Sequence, residues 1–593
     1  MGLMQRAAET YDANASLVGV YREGHEPLAP IGHKLTNADI EITLDQTGGF
    51  LSAVITEKED CKTIIPVTED SEARAGKYLP PHPLCEQLCY LAPYDANKHT
   101  EYLENLQAWM ESDSPHPFLA PIFRYVESGR IMADLAGTGI LNSDINNDKL
   151  LVRWRVVGFE NEEPACWKNQ NLFQAFIRYY LTGVSHQDPA LCMITGEQAV
   201  SSTKHPKGII SINGNAKLIS SNDTSGFTYR GRFREDWQAA TVGYIASQKA
   251  HNAIRWLASE QGVRDFSGNR VFLCWNPQGT KIPRPMRRLR ETGAEPLRQP
   301  SDYKQALKST LMSFRKDNQI KGTETAVLAA FDAATTGRLA LTYYNEVSIN
   351  LFLARMEAWD ARCCWFNGSY GIQAPNLLQL VECAFGTQRK DALEVDDRIQ
   401  RQHLQRLLNA KVSGGIIPVD IVKALSQRAS APQNYDDKSW RKIVFTACAA
   451  LQKYRFDTNQ GGNEMAWELD KRDRSFQFGR LLAVLERGEE DYYRKTQEAR
   501  QTNAVKFMSE FRQRPWFVFE RINRQLHQAY LGRIEPWQVS RYQRLVGEIT
   551  AILGQFPEEE LNRPLEDIYL MGYELQRNAF FKKEDNNDNE TEE

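Results

Sequence analysis

Apolar residues in the first part of this chain alternate or run in short blocks, and from Ile349 onward they recur every three to four positions. IEITLDQTGGFLSAVI combines alternation, a Thr-Gly-Gly turn and a second apolar run, which predicts a β-hairpin. LLVRWRVVGF reads as a strand, and NLFQAFIRYYL as a helix with Phe173, Phe176, Ile177 and Tyr180 on one side. ATVGYIASQKAHNAIRWL predicts another helix, RVFLCW a buried strand, and AVLAAFDAATTGRLALTYYNEV a return to strand. SINLFLARMEAWDARCCWF, IPVDIVKALSQRA with Pro418 near its start, and SWRKIVFTACAALQKY then carry helical spacing.

The helical period is clearest in the last quarter. Leu481, Leu482 and Leu485 follow Phe476 and Phe478; Phe519, Ile522, Leu526 and Tyr530 form one apolar face, and Leu545, Ile549, Ile552 and Leu553 another. Gly488, Pro515, Gly532, Pro536, Gly554, Pro557 and Pro564 fall between these runs, where a bundle turns. The expected fold class is α+β, a mixed α/β N-terminal region followed by an all-α C-terminal helical bundle of about four short helices. The expected boundaries are an α/β domain over 1–150 and a loop-rich α/β region over 151–278. A basic linker or loop covers 279–325, a strand and helical connector 326–464, the bundle 465–580 and a disordered acidic tail 581–593.

Composition changes this picture little. With 593 residues the chain exceeds one core, and 42% hydrophobic with 25% charged residues is ordinary globular content. The formal net charge of -4 does not announce a nucleic-acid partner, so any basic surface must be local. No apolar run approaches the roughly 20 residues of a membrane span, and Met1 opens no leader, which predicts a cytoplasmic protein with no membrane partner. The ten cysteines are scattered, several in apolar settings such as Cys274 and Cys448, and are expected reduced and buried. Cys85 and Cys89, near His82 and His99, raise a zinc reading, but their spacing suits one helix face and no second pair completes a site. No metal or other cofactor is expected.

Charge is concentrated in three places. The bundle carries Arg512, Arg514, Arg521, Arg524, Arg533, Arg541 and Arg544, with Arg514, Arg521 and Arg524 able to share one helix side. That face is either simply solvated or follows phosphates, which arginine favours. Between Pro277 and Lys321, Lys281, Arg284, Arg287, Arg288, Arg290, Arg298, Lys304, Lys308, Arg315 and Lys316 outnumber the acids, as in a tether or a clamp for a polyanion. The block LCMITGEQAVSSTKHPKGIISINGNAKLISSNDTSGFTYRGRF is too polar for core. Its Asn213, Asn222, Arg230, Arg232 and Arg234 suit base edges and phosphates, or packing against another subunit or a guide RNA. A further loop, Arg74-Ala75-Gly76-Lys77 followed by Pro80, Pro81 and Pro83, reads by itself as a surface turn.

Catalytic signatures are absent: there is no Walker lysine loop, HExxH, paired-cysteine motif or Gly-x-Ser-x-Gly elbow. His25, His33, His403 and His527 are dispersed, and acid pairs such as Asp436 with Asp437 sit in polar turns. The expectation is a protein that is not an enzyme.

An ordered set of motifs carries a resemblance over most of the chain: ITGEQAV with downstream His205, SSNDTSGFTYRGR, TTGRLALTYYNEV, SGGIIPVDIVKALSQR, GRLLAVLERGEEDYY, RPWFVFERI, EITAILGQFP and IYLMGYELQR. In this order they resemble the large subunit of the type I-C CRISPR Cascade surveillance complex. The resemblance implies a ribonucleoprotein subunit that binds CRISPR RNA beside the backbone and 5′-handle-binding Cascade subunits. It implies recognition of the protospacer-adjacent motif in double-stranded DNA, assistance in duplex opening and R-loop formation, and docking of an effector nuclease-helicase. It places Arg74, Gly76 and Lys77 in a loop that inspects the motif. Displaced single-stranded DNA, or the DNA backbone, would be held by Arg284, Arg287, Arg288, Arg290, Arg514, Arg521, Arg524, Arg541 and Arg544. It further implies a separately made C-terminal small subunit starting at Met465, since Gln460, Gly461 and Gly462 can be encoded by a ribosome-binding sequence. Two other classes fit the same residues: a nucleic-acid enzyme with a metal site split between domains, and a scaffold subunit that binds only proteins.

Overall fold

The computed structural model describes residues 2–590 apart from 75–78, 142–146, 185–188, 211–214, 221–239, 265–269, 280, 291–294, 336 and 459–471, and gives backbone alone for 147, 184, 264, 334, 335 and 581–590. The fold is α+β, with the larger sheets in the first part and helices dominating the second. Two compact units share the chain: Met1–Ile282 with Glu324–Val347, and Pro283–Thr323 with Ser348–Glu593.

In the first unit the expected hairpin forms from Ile40–Leu44 and Phe50–Ile55, and Val152–Val156 adds a parallel strand to Ile40–Leu44. Ile40, Ile42 and Leu44 point into a core with Trp109, Ile122, Trp154 and Phe176. On the opposite face of the middle strand, Glu41 accepts from Arg153 at 2.7 Å and from Arg155 at 2.6 Å, so its buried charge is paired. A second sheet runs in the order Arg338–Ser348, Thr325–Thr335, Arg270–Trp275, Val263–Arg264. Every residue of Arg270–Trp275 is buried, as RVFLCW predicts. Helices Leu3–Ala13 and Tyr244–Glu260 join its core through Leu3, Ala7, Tyr11, Ala250, Ala253 and Ile254, the small alanines permitting close packing.

The second unit has helices Ile349–Arg362, Leu377–Phe385, Asp397–Ser413, Val419–Ala429 and Asp437–Asp457. The bundle follows as Arg474–Thr496, Pro515–Ala529, Pro536–Leu553 and Tyr569–Glu590 with short helices between. Two differences from the sequence reading stand out. Pro300–Asp317 is an 18-residue helix inside the stretch read as a linker, and helical backbone continues through the tail read as disordered to Glu590.

Helices Arg474–Thr496 and Tyr569–Glu590 cross through a pair of glycines. A Cβ built on Gly479 would lie 1.9 Å from the Tyr569 carbonyl oxygen, and one on Gly572 would lie 2.1 Å from that of Phe476. Backbone cannot yield as a side chain does, so Gly479→Ala is expected to force the helices apart and cost about 1–3 kcal/mol. Chemical denaturation should show the lower midpoint; an unchanged midpoint would mean the helices do not cross this closely.

All ten cysteines are free, nine of them buried and Cys61 partly so. Cys85 and Cys89 do not share a helix face, because the helix there spans only Leu88–Leu91; burial pushes the Cys85 thiol up to about 12. Among the described residues no group of His, Cys, Asp and Glu side chains is placed to hold a metal, and no helix is long and apolar enough to cross a membrane.

Candidate nucleic-acid interface

The loop that begins at Arg74 is fixed at both ends. The short helix Glu69–Ala73 starts on Thr68, whose hydroxyl accepts from Ser71 N at 3.1 Å, and runs out at Arg74. Arg74 donates to the fully buried Glu86 at 2.6 and 3.3 Å. Glu86 also accepts from the backbone amides of His82 at 2.7 Å and Gln87 at 2.8 Å, so one carboxylate ties the start of the loop to the chain beyond its end. Tyr90 completes the far foot by donating to the Leu79 carbonyl at 2.6 Å.

A second loop rises beside it. Lys207 and Lys217 pair across an antiparallel bridge, with Gly208 N donating to Ala216 O at 3.0 Å. Lys217 in turn joins the second sheet, since Leu339 N donates to its carbonyl at 2.9 Å. The Lys207 ammonium donates to the Arg74 carbonyl at 2.6 Å and to Asn215 Oδ1 at 3.2 Å. This one side chain links the foot of the Arg74 loop to the foot of the second loop. Arg255, from helix Tyr244–Glu260, supports both by donating to Glu72 at 3.3 Å and to the Lys207 carbonyl at 3.2 Å.

Cations crowd this place. Lys204 pairs with Asp70, while Ser202 and Thr203 donate to Glu69. Lys34 donates to neutral His82 Nε2 at 3.0 Å, and burial brings its ammonium down to about 8. His82 is held well below its usual range by burial and by Lys34, Arg74 and Lys207. Burial, with Lys217 and Arg74 nearby, also lowers Lys207; burial and Lys204 lower Lys217.

Of the residues the sequence proposes for motif contact, Arg74 is thus an anchor, its guanidinium spent on Glu86. Gly76, Lys77, Asn213, Asn222, Arg230, Arg232 and Arg234 lie outside the described residues. The described residues beside 75–78 and 211–214 do meet: the Lys207 ammonium joins Arg74 to Asn215. Sequence reading missed Lys34, Lys207, Lys217 and Arg255. The available signal was the pair of lysines flanking the Asn213-Gly214 turn in KGIISINGNAK.

Comparison with known families decides the affiliation: the family of CRISPR-associated protein Csd1 matches residues 9–581. The chain belongs to the Csd1 family. No curated protein matches it significantly.

The second unit of this Csd1-family chain holds the remaining arginine candidates. The segment after Ile282 is pinned rather than loose: Leu289 N donates to Asp360 at 2.7 Å, Lys411 to the Arg287 carbonyl at 3.2 Å, and Ile372 N to the Leu297 carbonyl at 2.7 Å. Arg284 and Arg287 are exposed, Arg288 donates to Gln373 at 2.9 Å and Arg290 to the Glu295 carbonyl. Helix Pro300–Asp317 buries Tyr303, Leu307 and Leu311 and exposes Lys304, Lys308 and Lys316.

Arg514, Arg521 and Arg524 are exposed at helix Pro515–Ala529, opposite the buried Val518, Phe519, Ile522 and Leu526. The Arg521 guanidinium sits 3.8 Å from the Phe507 ring centroid and 3.4 Å from Glu510. Arg544 pairs with Glu548 at 3.1 Å on the surface. Arg541 departs from the expected face. It pairs at 2.7 Å with the buried Asp491 and lies over Trp537, so it braces the bundle. Met465 falls outside the described residues.

Proposed function

We propose that this CRISPR-associated chain is the large subunit of a type I-C RNA-guided DNA surveillance complex. The first unit reads the motif beside the target in duplex DNA, using the Arg74 loop and the 208–216 loop together. The second unit retains the displaced strand on exposed Arg284, Arg287, Arg514, Arg521, Arg524 and Arg544. The chain performs no chemistry of its own; it binds CRISPR RNA with the backbone and 5′-handle-binding subunits and offers a surface to the effector nuclease-helicase. A small subunit made from Met465 completes the assembly. Base pairing to the guide then reads most of the target, and protein reads a few base pairs and the backbone.

The observation that supports this reading is the Lys207 side chain, which ties Arg74, at the start of one loop, to Asn215, at the end of the other. Two separately tethered loops would have to find a common base pair by chance; a shared foot prepays that ordering. To test it, the chain with a C-terminal tag is expressed from its native gene beside its neighbours, and the recovered complex is offered duplexes varied at the bases flanking the target. A small guide RNA should copurify, and affinity should vary by roughly tenfold or more across those bases, as expected at about 1–3 kcal/mol per mismatched pair. Equal affinity for all flanking sequences, or recovery of a chain without RNA, would refute the proposal.

A further inference from the structure

Six cations surround the feet of the two loops, and their partners divide them into two groups. Arg74 has Glu86, Arg255 has Glu72 and Lys204 has Asp70. Lys207, Lys217 and Lys34 have no carboxylate in contact among the described residues. The Lys207 ammonium donates to a carbonyl and an amide oxygen, Lys34 meets neutral His82, and Lys217 makes no ion pair among the described residues. All three are half-buried.

This arrangement is costly for the protein alone. Lys207 and Lys217 are directly opposed across an antiparallel bridge, which puts their side chains on one face about 5 Å apart at Cβ, where like charges repel. Partial burial removes the water that would screen them, and both ammonium groups are held below their usual range. Glu72 and Glu69 relieve them only in part, since both ammonium groups stay lowered while Glu72 contacts Arg255 and Glu69 accepts from Ser202 and Thr203. An anion from outside would relieve them further.

We propose that Lys207 and Lys217 form a seat for one backbone phosphate of duplex DNA at the foot of the two loops. A phosphodiester presents two unesterified oxygens, so each ammonium can donate to one, and lysine serves as a compact point charge that needs no planar fork. Duplex DNA is the choice because the seat lies beneath the loops assigned above to motif reading, and in that respect the inference rests on the proposed function. The phosphate would set register, and the loops above it would read sequence.

Lys217→Gln is the cleanest variant, since the Lys217 side chain makes no hydrogen bond or ion pair among the described residues; Lys207→Gln/Lys217→Gln follows. The full chain is titrated with a 30-bp duplex lacking the preferred motif, a duplex containing it, and single-stranded RNA of equal length, each over a salt series. The double variant should bind both duplexes about tenfold more weakly, with a log–log salt slope shallower by about 1, the mark of one lost phosphate contact. Lys217→Arg should keep affinity and slope. Melting temperature should hold or rise in Lys217→Gln, because a repulsive pair is removed, whereas a purely structural lysine would lower it.

An unchanged slope on duplexes with melting intact would overturn the seat. So would a loss confined to the motif-bearing duplex, or one confined to RNA. If the wild type fails to distinguish the two duplexes, motif reading fails; the slope on either duplex still decides the seat.

Discussion

Asp360→Ala should destabilise the second unit by about 3–5 kcal/mol, the typical consequence of leaving a buried charge without its partner. Lys411 and Asp360 form an ion pair at 2.9 Å in which the side chains are 1% and 0% exposed. Both also hold the basic segment: Asp360 accepts from Leu289 N at 2.7 Å, and Lys411 donates to the Arg287 carbonyl at 3.2 Å. Alanine at 360 removes the countercharge and orphans two donors at once. Lys411 then has only the Arg287 carbonyl among the contacts described here, and cannot reach water without opening the helices around it. The measurement is thermal unfolding followed by far-UV circular dichroism, where a fall of about 5 °C or more is expected. Asp360→Leu/Lys411→Met should cost less than the single change, because no unpaired charge remains. If the double costs as much as the single, packing rather than charge explains the site. Salt-dependent DNA binding should weaken alongside stability, since Arg284, Arg287 and Arg290 lie on the segment that the pair holds down.

The elements that were legible in the sequence are those whose period is enforced by burial. The hairpin from Ile40 to Ile55, the strand at Val152–Val156, the helix at Tyr244–Glu260 and the bundle helices each need a continuous apolar face, and that face is written directly in residue order. Helix Pro300–Asp317 was obscured because its buried stripe is only Tyr303, Leu307 and Leu311, one residue wide, inside a lysine-rich run that composition reads as loop. The crossing of Gly479 and Gly572 could not be paired from sequence, although each lies within a motif of the family resemblance, because nothing local says which helix a glycine faces.

The charges around the candidate site were not legible in the sequence. Glycine, asparagine and basic residues marked the Arg74 loop and the Asn213 turn. Whether a cation is available depends on an acid elsewhere in the chain: Glu86 engages Arg74 and Asp491 engages Arg541, while Lys217 contacts no acid among the described residues. Residue type gives valence; only the fold gives the partner.

Mild acid should loosen the first unit while leaving the bundle firm. Burial brings His33 and His205 down to about 4 and His251 to about 3, against 6.5 for an exposed imidazole. Geometry explains why they resist protonation. His33 Nδ1 donates to the Ile31 carbonyl at 3.0 Å and His251 Nδ1 to that of Ser247 at 2.7 Å, while His205 Nδ1 meets Ser247 Oγ at 2.9 Å. In all three Nε2 is buried with no hydrogen-bond partner among the described residues, so a proton there would add an unanswered charge. Above pH 6.5 both folded and unfolded imidazoles are neutral and stability is fully present. As pH falls below 6.5 the unfolded chain takes up protons that the folded one refuses, and stability is lost progressively until about pH 4, or about 3 for His251. At pH 5 the cost is about 2 kcal/mol per histidine, together comparable with the whole stability of a domain. Glu574 in the bundle has the opposite sign. Burial raises its carboxyl to about 7, so its stabilising contribution is present below the unfolded value of 4.5 and is lost as pH rises through 7. Hydrogen exchange followed by mass spectrometry at pH 7.5 and 5, corrected for intrinsic rates, separates the two units. Peptides from Tyr244–Glu260 should lose protection at pH 5, and those from Arg474–Thr496 should keep it. His251→Gln should recover part of the loss. Equal loss in both units would show that acid acts on the chain as a whole, and retained protection of Tyr244–Glu260 would show that these imidazoles accept protons while folded.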